Sequence, residues 1–195
     1  MSRLVDTPHG PARLHLRSAD SPRAALVLGH GAGGGVESPD LVGAARAAVE
    51  AGLSVALVEQ PYRVAGRRSP APARQLDAAW LAVVSGLFDG IPLIVGGRSS
   101  GARVACRTAA ELEAKAVLCL AFPLHLPGKP EKTRLPELDG VTVPTMVVQG
   151  ERDPFGIPPP GPNREVVLVP GTHSLRSSAN VAAVVAEWLA ALKLG

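Results

Sequence analysis

The sequence predicts an α/β protein, a mostly parallel twisted sheet with helices on both faces. Three observations carry that expectation. Short apolar runs recur along the chain, each bounded by glycine, proline or polar residues, which is how strands buried on both faces read. Stretches with helical composition or spacing alternate with them, and that alternation builds parallel sheets. Polar features at His30, Ser99, Asp153 and His173 each follow such a run. In parallel sheets chemistry collects at this carboxyl edge.

The elements follow in order. Arg13 to Arg17 alternates polar and apolar residues, the pattern of an edge strand. His9-Gly10-Pro11 before it suits a hairpin turn from a first strand near Arg3 to Val5. Ala24 to Gly29 is a continuous apolar run, hence an interior strand, and it empties into His30-Gly31-Ala32-Gly33-Gly34-Gly35. Ser38 as N-cap and Pro39 at the first position open a helix that stops at Gly52. Leu53 to Val58 is the next strand, ending in Glu59-Gln60-Pro61-Tyr62, and the Arg/Pro-rich stretch 63–72 is a loop. A long helix is expected over 73–88, with Leu76, Trp80, Val83, Val84 and Leu87 on one face. Strands are then expected at 91–96, 116–122, 145–150 and 165–169, and a last amphipathic helix at 180–194. The segment 123–140 reads as irregular and charged, and no repeat or linker divides the chain, so the expectation is a single domain over 1–195.

Composition narrows the function classes. Of 195 residues 46% are hydrophobic but only 3% aromatic, so the core is mostly Val, Leu and Ala. The net charge of +3 comes from scattered arginines with no run of like charges, which argues against a nucleic-acid partner. No stretch reaches membrane-spanning length, and Met1 to Asp20 holds no continuous apolar segment, so a cytoplasmic protein without signal peptide or membrane partner is expected. Cys106 and Cys119 lack metal-ligand or CxxC spacing and are expected reduced and buried. Neither a metal nor a cofactor is called for, and the oligomeric state is not legible.

The most informative stretch is Gly97-Arg98-Ser99-Ser100-Gly101. Alone, Gly-x-Ser-x-Gly is a weak pattern, since glycine-rich turns also serve as tight turns or phosphate loops. Between a strand and a helix it becomes a nucleophile elbow. The sharp turn forces the serine into a strained backbone and requires small neighbours. Ser99 then projects at the sheet edge, and the Ser100 amide, at the start of a helix, points where an oxyanion would develop.

His-Gly-Ala-Gly-Gly at 30–34, Gly-Gly-Arg-Ser-Ser-Gly at 96–101, and the order Ser99, Asp153, His173 together resemble the α/β hydrolases. The likeness is to small lidless members similar to dienelactone hydrolases and small carboxylesterases. It extends to a family of hydrolase-like proteins carrying the same two glycine motifs, some of whose eukaryotic relatives sit in a chromatin-modifying complex without established activity. The resemblance implies an α/β-hydrolase fold and a serine hydrolase acting on a small ester, thioester or related acyl compound. Ser99 would be the nucleophile, His173 the general base and Asp153 its orienting partner. Ala32 and Ser100 would supply the oxyanion amides, with Gly33 as the alternative second donor.

Other readings stay open. Asp139 rivals Asp153 but precedes a strand, at the wrong edge. His30, Tyr62, Arg63, Arg98 and His125 are candidates to line the substrate site, although His30 reads better as a shaper of the glycine loop. Arg98 would either pair with Glu59 or, with Arg63 and Arg67, favour anionic substrates. The segment between Phe122 and Thr145 is too short for a lid, so an open, shallow site is expected. A non-catalytic interaction module is the competing reading, and an acyltransferase or peptidase would share the same motif.

Overall fold

The computed structural model describes residues 1–194. Its strands are β1 (Ser2–Val5), β2 (Ala12–Arg17), β3 (Ala25–Gly29), β4 (Ser54–Glu59), β5 (Leu93–Arg98), β6 (Ala116–Leu120), β7 (Thr145–Gly150) and β8 (Arg164–Val169). They form one eight-stranded sheet in the order β1-β2-β4-β3-β5-β6-β7-β8. The β1–β2 and β2–β4 pairs are antiparallel, and every pair from β4 to β8 is parallel. The helices are α1 (Pro39–Glu50), α2 (Pro61–Val64), α3 (Ala73–Val84), α4 (Ser100–Thr108), α5 (Leu135–Asp139) and α6 (Ser178–Ala191). None is long and apolar enough to cross a membrane.

Each buried strand feeds two cores, because successive side chains point to opposite faces. Leu26, Leu28, Ile94, Leu118, Leu120 and Val148 meet Leu41, Ala44 and Ala48 of α1 and Val181, Val185 and Leu189 of α6. Val27, Ala56, Val58, Val95, Val117, Cys119 and Val147 meet Trp80 and Val83 of α3 and Ala102, Ala105 and Cys106 of α4. This is why the strands read as unbroken apolar runs: both faces are covered. Cys106 and Cys119 are buried and form no disulfide, and their sulfurs share a hydrogen bond at 3.5 Å.

Four local expectations need correction. β2 lies one strand in, with β1 outside it; its alternation reports a face that is partly wet, not a place at the edge. The helix expected over 73–88 ends at Val84, because Gly86 takes the left-handed backbone (φ 74°) that favours glycine and breaks the helical path. Leu87 therefore lies beyond the helix, although it still packs on the second core. Ser38 and Pro39 do open α1, but the serine hydroxyl makes no capping bond. Finally, β5 runs on to Arg98, so pairing persists through Gly97 opposite Gly29 and Arg98 opposite Leu120. The nucleophile motif thus begins inside the sheet.

The connection from β6 to β7 carries only the short α5 and no lid. Two-pronged ion pairing fixes α5 to the helix after the elbow: Arg103 Nε and Nη2 donate to the two Glu137 oxygens, at 2.8 and 2.6 Å. Arg107 pairs in the same way with Asp77 of α3. Such forked contacts are the strong form of arginine–carboxylate pairing.

Candidate active site

Ser99 occupies the turn between β5 and α4 with φ 51° and ψ −108°, a conformation that L-residues avoid. Its backbone is held on both sides. The Ser99 amide donates to Leu120 O at 2.9 Å, continuing the ladder, and the Ser99 carbonyl accepts from Arg103 N at 3.2 Å, starting the helix. Gly101 lies against the Gly29 backbone carbonyl where no Cβ would fit, so α4 can start this close to β3 only with glycine there.

From the other end of the sheet, loops after β7 and β8 bring Asp153 and His173 to this turn. The Ser99 hydroxyl lies 2.9 Å from His173 Nε2, and His173 Nδ1 lies 2.8 Å from Asp153 Oδ2. A carboxylate can only accept, so His173 carries its proton on Nδ1 and leaves Nε2 free to accept from Ser99. The Asp153 side chain is fully buried and that of His173 is 15% exposed. Asp153 Oδ1 also accepts from the Phe155 amide at 2.8 Å. The three residues read from chain order are therefore hydrogen-bonded in series. Asp139, the rival acid, instead accepts from Arg164 at 3.1 Å, away from His173.

Two neighbours escaped sequence reasoning. Gln149, wholly buried at the end of β7, directs its side-chain NH2 to Phe122 O (3.1 Å), Asp153 Oδ2 (2.8 Å) and Gly156 O (2.9 Å). Three acceptors around one amide group fix its orientation, and they hold the acid against two loops. Phe155 stacks on the His173 ring, with centroids 4.1 Å apart and planes at 30°. The only available signal was nearness to Asp153 in sequence.

The glycine loop after β3 supplies the other wall. His30 is 2% exposed, and both ring nitrogens are taken. Nε2 accepts from the Gln60 amide at 3.0 Å, so Nδ1 must be the protonated nitrogen and donates to Gly31 O at 2.8 Å. Burial lowers its pKa below the ordinary value, against the opposing pull of the Gly31 carbonyl. His30 is thus a neutral strut of the loop, with both ring nitrogens occupied by the backbone. Tyr62 stands edge-on to it and donates its hydroxyl to Ala32 O at 2.8 Å. Burial pushes the Tyr62 pKa up to about 12, which keeps the hydroxyl protonated as that donor. In a trans peptide the Gly33 N–H points opposite the Ala32 carbonyl, so the Tyr62 bond orients the Gly33 amide. The Ser100 amide, at the first position of α4, has no partner within its own helix.

Arg98 does not pair with Glu59. Glu59 is taken by Arg13 and His15, both at 3.2 Å, and Arg13 lies directly opposite it across the β2–β4 pair. Arg98 turns instead to Asp40 at the start of α1, with Nε 2.8 Å from Oδ2. That contact is a charge pair whose N–H is not aimed at the oxygen. Arg63 bonds to the Arg67 carbonyl at 3.3 Å, and His125 turns Nδ1 to Leu126 O at 2.9 Å while its backbone N–H donates to Phe155 O at 2.9 Å. Clefts of about 340 and 370 Å³ lie elsewhere, and neither is lined by Ser99, Asp153 or His173.

Several solved structures superpose on nearly the whole chain. An alpha-beta serine hydrolase homologue from Coxiella burnetii shares 16% identity at a TM-score of 0.77, covering 97% of each chain. Est1E from Butyrivibrio proteoclasticus shares 18% at 0.77, covering 97% of this chain and 98% of its own, and another structure of it has ferulic acid bound. A lidless α/β serine hydrolase from Xanthomonas campestris shares 19% at 0.74, covering 98% and 94%. No curated protein matches in sequence. The family model for the alpha/beta hydrolase domain matches residues 22–160, more than half the sequence, and with this sheet order the chain belongs to the α/β hydrolases.

Proposed function

We propose that the protein is a serine hydrolase that cleaves a small ester, thioester or related acyl compound through an acyl-enzyme on Ser99. The observation that carries this reading is the series Ser99 Oγ, His173 and Asp153, with contacts of 2.9 and 2.8 Å, on a strained strand-to-helix turn. In the first step His173 Nε2 takes the hydroxyl proton as Ser99 Oγ bonds to the acyl carbon. The Ser100 amide and an amide of the glycine loop, Ala32 or Gly33, bind the oxyanion. The carbon–leaving-group bond then breaks, and the leaving group takes the proton from His173. Water, deprotonated by the same imidazole, releases the acid and regenerates Ser99. Asp153 stays ionised throughout and stabilises the imidazolium. The chemistry uses protein groups and water alone, acts on a small molecule, and suits one domain working in the cytoplasm.

The test does not require the natural substrate. A fluorophosphonate probe should label the protein at Ser99, and Ser99→Ala should abolish labelling without loss of fold. Labelling at Ser100, or labelling that survives Ser99→Ala, would reject the nucleophile. A folded wild type that neither labels nor turns over activated esters would leave the interaction module as the better reading.

A further inference from the structure

Two loops and the start of α1 meet on one guanidinium. Arg98 ends β5 immediately before Ser99, and its side chain is 17% exposed. Its Nε lies 2.8 Å from the fully buried Asp40 carboxylate at the start of α1. Its Nη2 donates to the backbone carbonyl of His173 at 3.1 Å. Its Nη1 passes 2.7 Å from where a Cβ on Gly31 would stand, so the glycine loop leaves room for it. The His173 loop has other supports: Asp153 and Phe155 on the ring, the Arg152 amide on Gly171 O at 3.0 Å, and Leu175, buried in the core against α1 and α6. Arg98 holds that loop from the Ser99 side.

We propose that Arg98 is a positioning residue for the base, holding the His173 backbone toward Ser99 while Asp40 fixes the guanidinium. This rests on the reading of His173 as base. The role asks for arginine in particular. A planar fork reaches a carboxylate and a carbonyl at once, whereas an ammonium is a point charge on a flexible stem and serves one of them. Asp40 supplies the countercharge, and its burial ties the start of α1 to the same point. Without Arg98 the His173–Asp153 bond would remain, but the imidazole would drift from Ser99.

The experiment separates positioning from plain stability. Arg98→Lys keeps a cation beside Asp40, and Arg98→Met with Asp40→Asn removes both charges, so neither variant leaves a buried carboxylate uncompensated. Both should fold, as judged by thermal melts. Both should label with fluorophosphonate roughly 10²-fold more slowly than wild type, the loss expected for a displacement near 1 Å. On an activated ester kcat should fall while KM changes little. A crystal structure of the double variant should show Ser99 Oγ and His173 Nε2 beyond hydrogen-bond distance. The proposal is overturned if Arg98→Lys labels at the wild-type rate, or if the double variant keeps the short Ser99–His173 contact. Failure of the wild type to label would reject the hydrolase reading, while the Ser99–His173 distance still decides the positioning role.

Discussion

At the scale of single residues, His173 is where the proposed chemistry stands or fails. If it is the base, His173→Ala should cost about as much as losing the serine, roughly 10⁴-fold or more in kcat. Groups acting as a unit do not add, so His173→Ala placed on Ser99→Ala should cost almost nothing further. Asp153→Asn presents the wrong partner to Nδ1 and should also lose activity heavily. Ester hydrolysis by the four variants checks this, and full activity in His173→Ala would remove it from the mechanism. Ser99, Asp153 and His173 were legible as positions because Ser99 directly follows β5, the other two lie in the loops after β7 and β8, and strand ends of one parallel sheet share an edge. Gln149 and Asp40 were not, because a buried polar side chain finds its partners through the tertiary fold. Glu59 misled for the same reason. Its partner Arg13 lies on an antiparallel neighbour whose register no local pattern reveals.

Among the elements, the connection from β6 to β7 bears on which substrates the proposed hydrolase would accept. The sequence of 123–140 reads as irregular and charged, whereas the structure holds α5 there, pinned to α4 through Glu137. A five-residue helix held against the body leaves Ser99 with no lid to cover an acyl chain. Kinetics on p-nitrophenyl esters should therefore favour short acyl groups, since little apolar surface is available to hold long ones. A steady rise in kcat/KM from acetate to decanoate would contradict that. The strands and most helices were legible from apolar runs and helical spacing, but their ends were less so. Helix α3 stops at a glycine whose left-handed φ is a backbone property, and β5 lengthens because its last two residues pair with β3 and β6.

Over the whole molecule, stability should carry the mark of the buried neutral His30. Its folded pKa lies below the unfolded one, chiefly through burial, with Glu59 and the Gly31 carbonyl opposing and Arg63 assisting. Such a group contributes stability that is fully present above the unfolded pKa, about 6.5, and is lost as pH falls through the folded pKa. Thermal melts should show His30→Gln clearly less stable than wild type at pH 7.5, with the gap narrowing below pH 6. A gap independent of pH would exclude the linkage. The strained turn at Ser99 has a consequence of another kind. A side chain held at φ 51° costs about 1–3 kcal/mol that glycine would not incur, and glycine's extra unfolded-state freedom takes back only about 0.5–1 of it. Ser99→Gly should accordingly melt higher than wild type while losing all reaction with fluorophosphonate. The residue that would make this molecule useful is then one it would fold better without, and random selection for heat resistance alone should discard it.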